Sequence, residues 1–434
     1  MEIAIIGAGL GGLTTALRLQ QQGFRPRVYE SAVELRELGV GIVLQPYGAR
    51  ELDELGVLDA VKEVTVDALE STFYNQHGQR LYGERCGTHM GYSHPMRFCH
   101  RGVLQKVLID AVTERLGPDA IVVGARCIGF EQDDEGVTVR FERRSSTVPE
   151  EVRADIAIGA DGINSAIRHA MHPGRSGPRY SGVTMWRGVT LMKPYLAGGT
   201  ILHIGAPSKG SIICYPIIDN AFGTDLTLVN WAIEEYGRPQ MVEDWNQTAD
   251  ATEIAGMFPD WDADFIDITQ MLRTARAAYV IPMMDHDPLP FWSDRRVTLL
   301  GDAAHALYPR GGNGLGQALL DAGALARKLG GGGDPIEALQ GYENERREAA
   351  NRVVIANRGE GPEIIRRLVE ERTGGKRFDH IDDVLPSAEA DAIFSEYHRL
   401  AGMTRPGQSA QDGGTGFFDE AQASKVRSIV GPAS

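Results

Sequence analysis

The sequence is short of cysteine, of basic residues and of long apolar runs. Its 434 residues include only four cysteines, Cys86, Cys99, Cys127 and Cys214, and no two have the CxxC spacing of a zinc site or a redox-active disulfide. No apolar run reaches the length of a membrane-spanning helix. No basic segment precedes the first apolar run, as it would in a signal peptide. We therefore expect a cytoplasmic protein without a metal site.

Acidic residues outnumber basic residues by 59 to 44, which gives a net charge of −15. Nucleic acids and anionic membranes bind basic surfaces, so neither is an expected partner. The length allows two or three domains, and 42% hydrophobic with 24% charged residues is ordinary for a globular protein. The expected partner is a small molecule, and the sequence gives no indication of the oligomeric state.

The first thirty residues carry the clearest pattern in the chain. The apolar run Ile3–Ile6 predicts a buried strand, and the glycine-rich segment 7–12 (GAGLGG) follows it directly. Residues 13–22 predict a helix that Gly23 ends, and residues 27–29 predict a second strand before Glu30. This order of strand, glycine turn, helix, strand and acid predicts a dinucleotide-binding unit, for either FAD or NAD.

Each glycine of that turn has a predicted task. Gly7 permits the tight turn, Gly9 lets a pyrophosphate approach the backbone, and Gly12 lets the helix pack closely on the strand. The unpaired N–H groups at the helix N-terminus would face the phosphates. Glu30 is placed to bind the ribose hydroxyls.

Two further glycine loops follow predicted strands. The first, residues 159–162 (GADG), contains Asp161, which either orients the loop near the cofactor phosphates or forms a plain turn. The second runs from Gly301 to Gly316. Ligands of open parallel sheets bind at the carboxyl ends of the strands, so three such loops favour one long ligand across the sheet. FAD meets this description, with its ribityl chain at Asp302 and its ring against the later part of that loop.

The chain between these loops changes character. Residues 175–285 contain short β runs punctuated by proline and glycine, without a long helix. We predict an α/β protein, with a Rossmann-like FAD-binding domain, an inserted and mainly antiparallel β-sheet domain for the substrate, and C-terminal helices. The predicted divisions are residues 1–174 and 286–370 for the FAD-binding domain, 175–285 for the inserted domain, and 371–434 for a loosely held tail.

These motifs together resemble the FAD-dependent aromatic hydroxylases, the single-component (group A) flavoprotein monooxygenases related to p-hydroxybenzoate hydroxylase. The resemblance covers about residues 1–360. The matching positions are GAGLGG at 7–12, Glu30, Arg101, GADG at 159–162, GDAAH at 301–305, Pro309 and Gly314. Four further segments resemble the phenazine hydroxylase branch that acts in pyocyanin biosynthesis, at 184–189, 244–246, 258–268 and 279–292.

The resemblance implies a set of FAD contacts. Glu30 would bind the adenosine ribose, Arg36 and Arg101 would contact the ribose and pyrophosphate, and Pro309 would border the flavin ring. Gly316 departs from the family pattern, in which a small polar residue often stands at this position. The full set of implied cofactor residues is Gly7, Gly9, Leu10, Gly11, Gly12, Glu30, Arg36, Gly41, Arg101, Asp161, Gly301, Asp302, Pro309, Gly311, Gly314 and Leu315.

The resemblance also implies the reaction. NAD(P)H would reduce FAD, O2 would add at flavin C4a, and the resulting hydroperoxide would hydroxylate an aromatic or N-heteroaromatic small molecule. The same fold also suits Baeyer–Villiger oxidation, epoxidation or oxidative decarboxylation, and a flavoprotein reductase without oxygen transfer is a further alternative. Because the cofactor carries the difficult chemistry, the protein needs only to bind, orient and exclude water.

Candidate catalytic residues come from the inserted strands and the last glycine loop. Tyr215 or His203 would hydrogen-bond a phenol or ring nitrogen and help to remove its proton, and Arg310 would hold a carboxylate or phenolate. Each also has a purely structural interpretation. Trp186 and Trp231 are further candidates for the pocket wall, whereas His305 in the GDAAH motif favours a packing role.

Overall fold

A computed structural model describes residues 1–35, 40–143, 146–175, 177–237, 248–258, 261, 263–359, 361–400 and 403. Its strands are β1 (Ile3–Ile6), β2 (Arg27–Tyr29), β3 (Gly41–Leu44), β4 (Val66–Asp67), β5 (Glu70–Tyr74), β6 (Arg80–Arg85), β7 (Arg97–His100), β8 (Ile121–Val122), β9 (Arg126–Gln132), β10 (Val137–Glu142), β11 (Glu150–Ala154), β12 (Ile156–Gly159), β13 (Arg179–Met192), β14 (Thr200–Ala206), β15 (Gly210–Ile218), β16 (Thr227–Tyr236), β17 (Ala275–Asp285), β18 (Ser293–Asp294) and β19 (Val297–Leu299). Its α-helices are α1 (Leu10–Gln21), α2 (Pro46–Glu54), α3 (Leu58–Glu63), α4 (Arg101–Leu116), α5 (Ala166–Met171), α6 (Ala251–Ala255), α7 (Ile268–Arg273), α8 (Asp302–His305), α9 (Gly314–Gly330), α10 (Pro335–Arg358), α11 (Ile364–Thr373) and α12 (Ser387–Leu400).

The first sheet has the strand order β18-β19-β12-β1-β2-β8 and is parallel except at the β18 edge. All four residues of β1 are buried, as expected for the central strand of a parallel sheet whose two faces are both covered. The parallel register places the ends of β1, β12 and β19 at one edge, so the three predicted glycine loops meet there. Helix α1 begins at Leu10, three residues earlier than predicted, because Gly9 already takes the extended N-cap conformation.

The second sheet has the strand order β17-β13-β16-β15-β14-β5-β6. It is antiparallel apart from the pairing of β14 with β5, where Ile204 lies opposite Tyr74. The inserted segment therefore supplies five strands, and the hairpin of β5 and β6 is added to them from the predicted FAD-binding segment. Fold class and the mainly antiparallel insert agree with the prediction.

Two local predictions are wrong. The apolar spacing within residues 49–61 predicts one amphipathic helix. The structure has two, α2 and α3, because Gly56 takes a left-handed conformation with φ +68° and breaks the helical hydrogen bonding. The tail expected from residue 371 is not loosely held up to residue 400, because α12 packs on the β5–β6 hairpin. Phe394 of this helix is 2% exposed, and its ring stacks on Tyr82 at 4.3 Å. Residues 401–434 lie outside the described residues, apart from Met403.

The main apolar core lies between the first sheet and helices α1, α4, α9 and α10. A second core lies between strands β13 to β17 and the short helices α6 and α7. The described helices include none with both the length and the apolar character needed to cross a bilayer.

Candidate active site

A cavity of about 460 Å³ lies between the two sheets. One wall consists of the glycine turn after β1 and the loop from Gly301 to Leu315, and the other consists of strands β13 to β17. Helix α12 closes one side with Phe394 and Tyr397. The cavity therefore joins the carboxyl edge of the parallel sheet to the face of the inserted sheet, as the sequence predicts.

The glycine turn has the geometry of a phosphate cradle. A side chain at Gly12 would place its Cβ 2.0 Å from the Gly7 carbonyl oxygen, and one at Gly7 would lie 2.4 Å from the Ala160 carbonyl oxygen. A Cβ at Gly9 would meet nothing within 4 Å, and Gly9 lines the cavity. Helix α1 has no side-chain cap and no acidic residue in its first turn, so its N–H groups face the cavity unopposed.

Glu30 supports this turn from behind. Its Oε2 accepts a hydrogen bond from the Ala8 N–H at 2.9 Å, and its Oε1 accepts one from Ala32 N–H at 2.8 Å. Glu30 does not line the cavity, and neither do Gly7 and Gly12. These three residues maintain the conformation of the glycine turn.

The Asp161 carboxylate accepts hydrogen bonds from the start of the helix that follows it. The donors are Ser165 Oγ at 2.5 Å and the Ala166 N–H at 2.8 Å, so Asp161 caps α5. Burial raises the pKa of this carboxyl, against the lowering effect of these hydrogen bonds. The neighbouring Ala160 and Gly162 line the cavity instead. Arg36 lies outside the described residues.

The last glycine loop brings a carboxylate and a second helix N-terminus to the cavity. The side chain of Asp302 is exposed to the cavity, and enclosure by the protein raises its pKa, while His305 and Arg101 lower it. Gly311 has φ +66°, and a Cβ there would lie 1.6 Å from Tyr397 Oη, so the loop needs glycine at this position. Helix α9 starts at Gly314 without a side-chain cap.

A buried ion cluster holds that loop in place. Asp321 of α9 accepts hydrogen bonds from the Gly301 N–H at 3.1 Å and from Arg346 Nε at 2.8 Å, and its Oδ2 lies 2.5 Å from His305 Nε2. His305 is 2% exposed and packs on Trp292. This agrees with the packing role predicted for His305.

Opposite the glycine loops, four residues form what we call the Gly41 cluster: Gly41, Arg187, Tyr215 and Asn230. Asn230 Oδ1 accepts from the Gly41 N–H at 2.7 Å, and Arg187 Nη2 donates to the Gly41 carbonyl at 2.8 Å. Arg187 also hydrogen-bonds Tyr215. A Cβ on Gly41 would lie 2.6 Å from Asn230 and 2.7 Å from Tyr215, so glycine is required for this close approach.

The Gly41 cluster contains unused donors. Arg187 Nε and Asn230 Nδ2 are buried without a hydrogen-bond partner, and within the described ranges no carboxylate lies at ion-pair distance from Arg187. Burial lowers the pKa of Arg187, and burial raises the pKa of Tyr215 to about 12 although Arg187 opposes this. Buried donors without partners indicate a place for an acceptor on a ligand.

The other predicted catalytic residues also line the cavity, but both are paired. Arg310 donates to Glu234 at 3.2 and 3.4 Å and to the Gly359 carbonyl at 2.9 Å. His203 Nδ1 lies 2.6 Å from Glu363 Oε1. The candidates Trp186 and Trp231 do not line the cavity, because their indole N–H groups are turned to Glu235 and Thr190 within the second sheet.

Fourteen of the nineteen predicted site residues therefore come together on one cavity. They are Gly9, Leu10, Gly11, Gly41, Arg101, His203, Tyr215, Gly301, Asp302, Pro309, Arg310, Gly311, Gly314 and Leu315. Sequence reasoning missed Arg187 and Asn230. The signal for Arg187 was available, because a single arginine interrupts the otherwise uncharged segment 184–189 (TMWRGV), whereas nothing local marks Asn230.

Comparison with known proteins agrees with this geometry. The model of the FAD binding domain family matches residues 1–357. The chain is 38% identical over 367 residues to the phenazine 1,6-dicarboxylic acid hydroxylase of Lysobacter antibioticus, covering 82% of this chain and 89% of that enzyme. The chain belongs to the FAD-dependent aromatic hydroxylases. It is also 32% identical to the 3-amino-4-hydroxybenzoate 2-monooxygenase PtmB3 of Streptomyces platensis, covering 84% of this chain and 88% of that one.

The fold of this hydroxylase also matches solved structures. The crystal structure of Klebsiella pneumoniae HpxO complexed with FAD and uric acid superposes with a TM-score of 0.69 at 22% identity, covering 100% of this chain and 98% of that one. The family match and the two relatives confirm the predicted class of enzyme, a flavoprotein monooxygenase with FAD as its cofactor. The cavity suits that cofactor, because the open Gly9, two uncapped helix N-termini and the Asp302 carboxylate face it together.

Proposed function

We propose that this hydroxylase acts on an anionic aromatic or N-heteroaromatic acid, with NAD(P)H as the electron donor and O2 as the oxygen source. One observation carries the proposal. Arg187 stands on an otherwise largely apolar wall, formed by residues such as Met185, Ile213, Ile281 and Met283, with no carboxylate among the described residues to neutralise it. A carboxylate or phenolate on a flat apolar ring would satisfy both features.

The chain's residues would bind and orient the cofactor as follows. The N-terminus of α1 and Arg101 would hold the pyrophosphate, Asp302 would accept hydrogen bonds from the ribityl hydroxyls, and the loop from Pro309 to Leu315 would border the ring. When bound, FAD supplies the electron transfer and the oxygen activation.

The remaining residues would orient the substrate. Arg187 would bind its anionic group, and Tyr215 would donate a hydrogen bond, because a pKa of about 12 keeps its hydroxyl protonated at neutral pH. Phe394 and Tyr397 close the cavity on the side of α12, which would exclude water from the reacting ring. His203 would accept a proton from the substrate.

The relatives support an acidic substrate in their names, since one acts on a phenazine dicarboxylic acid and another on a hydroxybenzoate. The acidic composition supports a small-molecule partner rather than a nucleic acid. All four cysteines are buried free thiols, which supports a cytoplasmic location.

A stopped-flow screen tests the proposal. The holoenzyme is mixed with NADH or NADPH in the presence of phenazine-1,6-dicarboxylate, 3-amino-4-hydroxybenzoate, salicylate and 6-hydroxynicotinate, and flavin bleaching is followed. We expect at least one acid to accelerate bleaching more than tenfold and to consume one O2 per hydroxylated product. The matched neutral amide of that acid is the control and should accelerate bleaching far less. No stimulation by any acid, or equal stimulation by the amide, would contradict the proposal.

A further inference from the structure

The cavity contains a carboxylate–histidine pair whose two members come from distant parts of the chain. His203 lies on β14 of the second sheet, and Glu363 lies in a 3-10 turn directly before α11. His203 Nδ1 lies 2.6 Å from Glu363 Oε1, and the two residues are 6% and 8% exposed. We call this pair the His203–Glu363 dyad.

The carboxylate of the dyad is ionised and fixed. Burial alone would raise the pKa of Glu363, but Arg366, one turn along α11, and His203 lower it to about 2. Arg366 forms an ion pair with Glu363 and donates to the Ile204 carbonyl at 3.1 Å, so it fastens α11 to the strand that carries His203. The carboxylate therefore cannot turn away from the ring without breaking these contacts.

The imidazole ring of His203 is also held in one orientation. Its ring stacks on Phe73 with 4.1 Å between centroids and 10° between planes. Because an ionised carboxylate only accepts hydrogen bonds, the Nδ1 that faces Glu363 must carry the proton. The neutral ring then presents a lone pair at Nε2, which has no hydrogen-bond partner in the described part of the chain, and His203 lines the cavity.

We propose that Glu363 is a positioning residue that holds His203 as the base for an ionisable ring hydroxyl or ring N–H of the substrate. The inference rests on the proposed function and deepens it, since it limits the substrates to aromatic acids that carry such a group. In the step, the substrate O–H or N–H bond breaks and a bond from Nε2 to that proton forms. The electron pair stays on the substrate, which makes its ring more electron-rich, and Glu363 balances the positive charge on the imidazole.

The dyad is surrounded by other charged groups that a pH profile has to take into account. Those of the described residues that contact the dyad or line the same cavity are Arg366 of α11, Arg187 of β13, Glu234 of β16, Arg310 beside α9, Glu84 of β6, His398 of α12, and Arg101 and Asp302 on the opposite wall. Four of these are paired with one another, Arg310 with Glu234 and His398 with Glu84. A variant of the dyad alone should therefore change one titration and leave the others.

The first test uses 4-nitrophenol as the probe, because its phenolate absorbs at longer wavelength than its phenol. Difference spectra of the holoenzyme are recorded below the pKa of the free phenol. We expect the wild type to bind it as the phenolate and His203→Gln to bind it as the neutral phenol. Glu363→Gln should bind it mostly as the phenol, and Glu363→Asp should restore part of the phenolate signal. No binding, or binding only as the phenol, in the wild type would overturn the proposal.

Glu370→Gln is the matched control. Glu370 also lies on α11 and accepts a hydrogen bond from Ser208 N–H at 3.2 Å, next to the end of β14, but it does not line the cavity. This variant should give the wild-type phenolate signal. An equal loss of signal in Glu370→Gln and Glu363→Gln would assign the effect to the packing of α11 and overturn the dyad.

The second test separates the dyad from the proposed function. With a stimulating hydroxyaromatic acid such as 3-amino-4-hydroxybenzoate, we expect His203→Gln to lower kcat/KM about 100-fold and to remove the acidic limb of the pH profile, and Glu363→Gln to lower it about tenfold. With the O-methyl ether of the acid, the variants should match the wild type. Stimulation that is unaffected by both variants overturns the dyad and leaves the proposed function standing. Absence of stimulation in the wild type contradicts the proposed function itself.

Discussion

Two arginines on the cavity wall differ in their partners. Arg310 is 7% exposed and faces Glu234, which is 5% exposed, so removal of either leaves an uncompensated buried charge. Arg187 faces no carboxylate within the described ranges and keeps an unpartnered Nε. An arginine of the first kind cannot be removed without a cost to folding, whereas one of the second kind is available to a ligand.

Paired substitutions test this distinction. Arg310→Met should lower the free energy of unfolding of the apoprotein by about 3 kcal/mol, because Glu234 stays buried without its partner. Arg187→Met should lower that free energy less, by about 1 kcal/mol, because it removes hydrogen bonds to the Gly41 carbonyl and to Tyr215 but leaves no charge unpaired. It should lower kcat/KM for an aromatic acid about 100-fold, through the loss of a charge-assisted hydrogen bond to the substrate. Urea denaturation and steady-state kinetics measure the two effects. The reverse ranking of stabilities would contradict the argument.

The glycines of the first turn offer a second matched pair. Gly12→Ala should destabilise the apoprotein by about 2 kcal/mol, because its Cβ would lie 2.0 Å from the Gly7 carbonyl oxygen and the helix would have to move. Gly9→Ala should leave the apoprotein unchanged, since its Cβ meets nothing within 4 Å, yet weaken FAD binding at least tenfold. Denaturation of the apoprotein and titration with FAD, followed by flavin fluorescence, distinguish the two. Unchanged FAD affinity in Gly9→Ala would place the pyrophosphate elsewhere.

At the level of elements, Asp321 connects α8, α9 and α10 to the loop that carries Asp302. The carboxylate is fully buried, and burial would raise its pKa, but His305 and Arg346 lower it to about 2. A carboxyl whose pKa is lower in the folded than in the unfolded state stabilises the fold above the unfolded pKa. That contribution is lost as the pH falls through the folded pKa.

The Asp321→Asn variant should therefore lose about 3 kcal/mol of unfolding free energy at pH 7. Its difference from the wild type should shrink as the pH falls from about 4 to about 2, since Asp321 is then protonated in the wild type as well. FAD affinity should fall too, because the Gly301 N–H loses its acceptor. Urea denaturation across this pH range, with Asp334→Asn at the start of α10 as an exposed-cap control, measures the effect. A difference that does not depend on pH would contradict it.

The elements that the sequence predicts well are those formed by neighbouring residues. The order of β1, glycine turn and α1 could be predicted because its main constraints are local: Gly7 takes φ +109°, and Gly12 approaches the carbonyl of Gly7 only five residues away. The pairing of β14 with β5 could not, because the paired residues Thr200 and Glu70 are 130 positions apart and neither strand carries a mark of its partner. The packing of α12 could not be predicted either. Its apolar residues look scattered in the sequence, and their partners lie on the distant β5–β6 hairpin.

Site residues also differ in whether the neighbouring sequence is enough to predict them. The cofactor glycines belong to motifs with fixed spacing, and most of them line the cavity. Glu363 belongs to no motif, and its pairing with His203 depends on where α11 packs. Asn230 lies on a long strand and belongs to no motif. Only its 2.7 Å hydrogen bond with Gly41 identifies it as a site residue.

For the molecule as a whole, the Gly41 cluster links β3, beside the cavity, to the second sheet. Gly41 opens β3, which pairs with β7 and not with either large sheet, and it is held by Arg187 of β13 and Asn230 of β16. Binding of a cofactor in the cavity should therefore stabilise strands of the second sheet through the side chains of Arg187 and Asn230. Hydrogen exchange measures such energetic coupling between the cofactor and the strands.

Saturation with FAD at 100 times its Kd should stabilise the protein by about 2.7 kcal/mol, which corresponds to about 100-fold slower exchange of amides that open globally. We expect this protection in β1 and β12, and also in β13 and β16, although these strands belong to the insert. In Asn230→Ala, FAD should still protect β1 and β12, while protection of β13 and β16 falls, because one of the two side chains that hold Gly41 is gone. Equal protection of β16 in the variant and the wild type would mean that packing alone couples the sheets. Loss of protection in all four strands would instead make Asn230 a determinant of FAD binding itself.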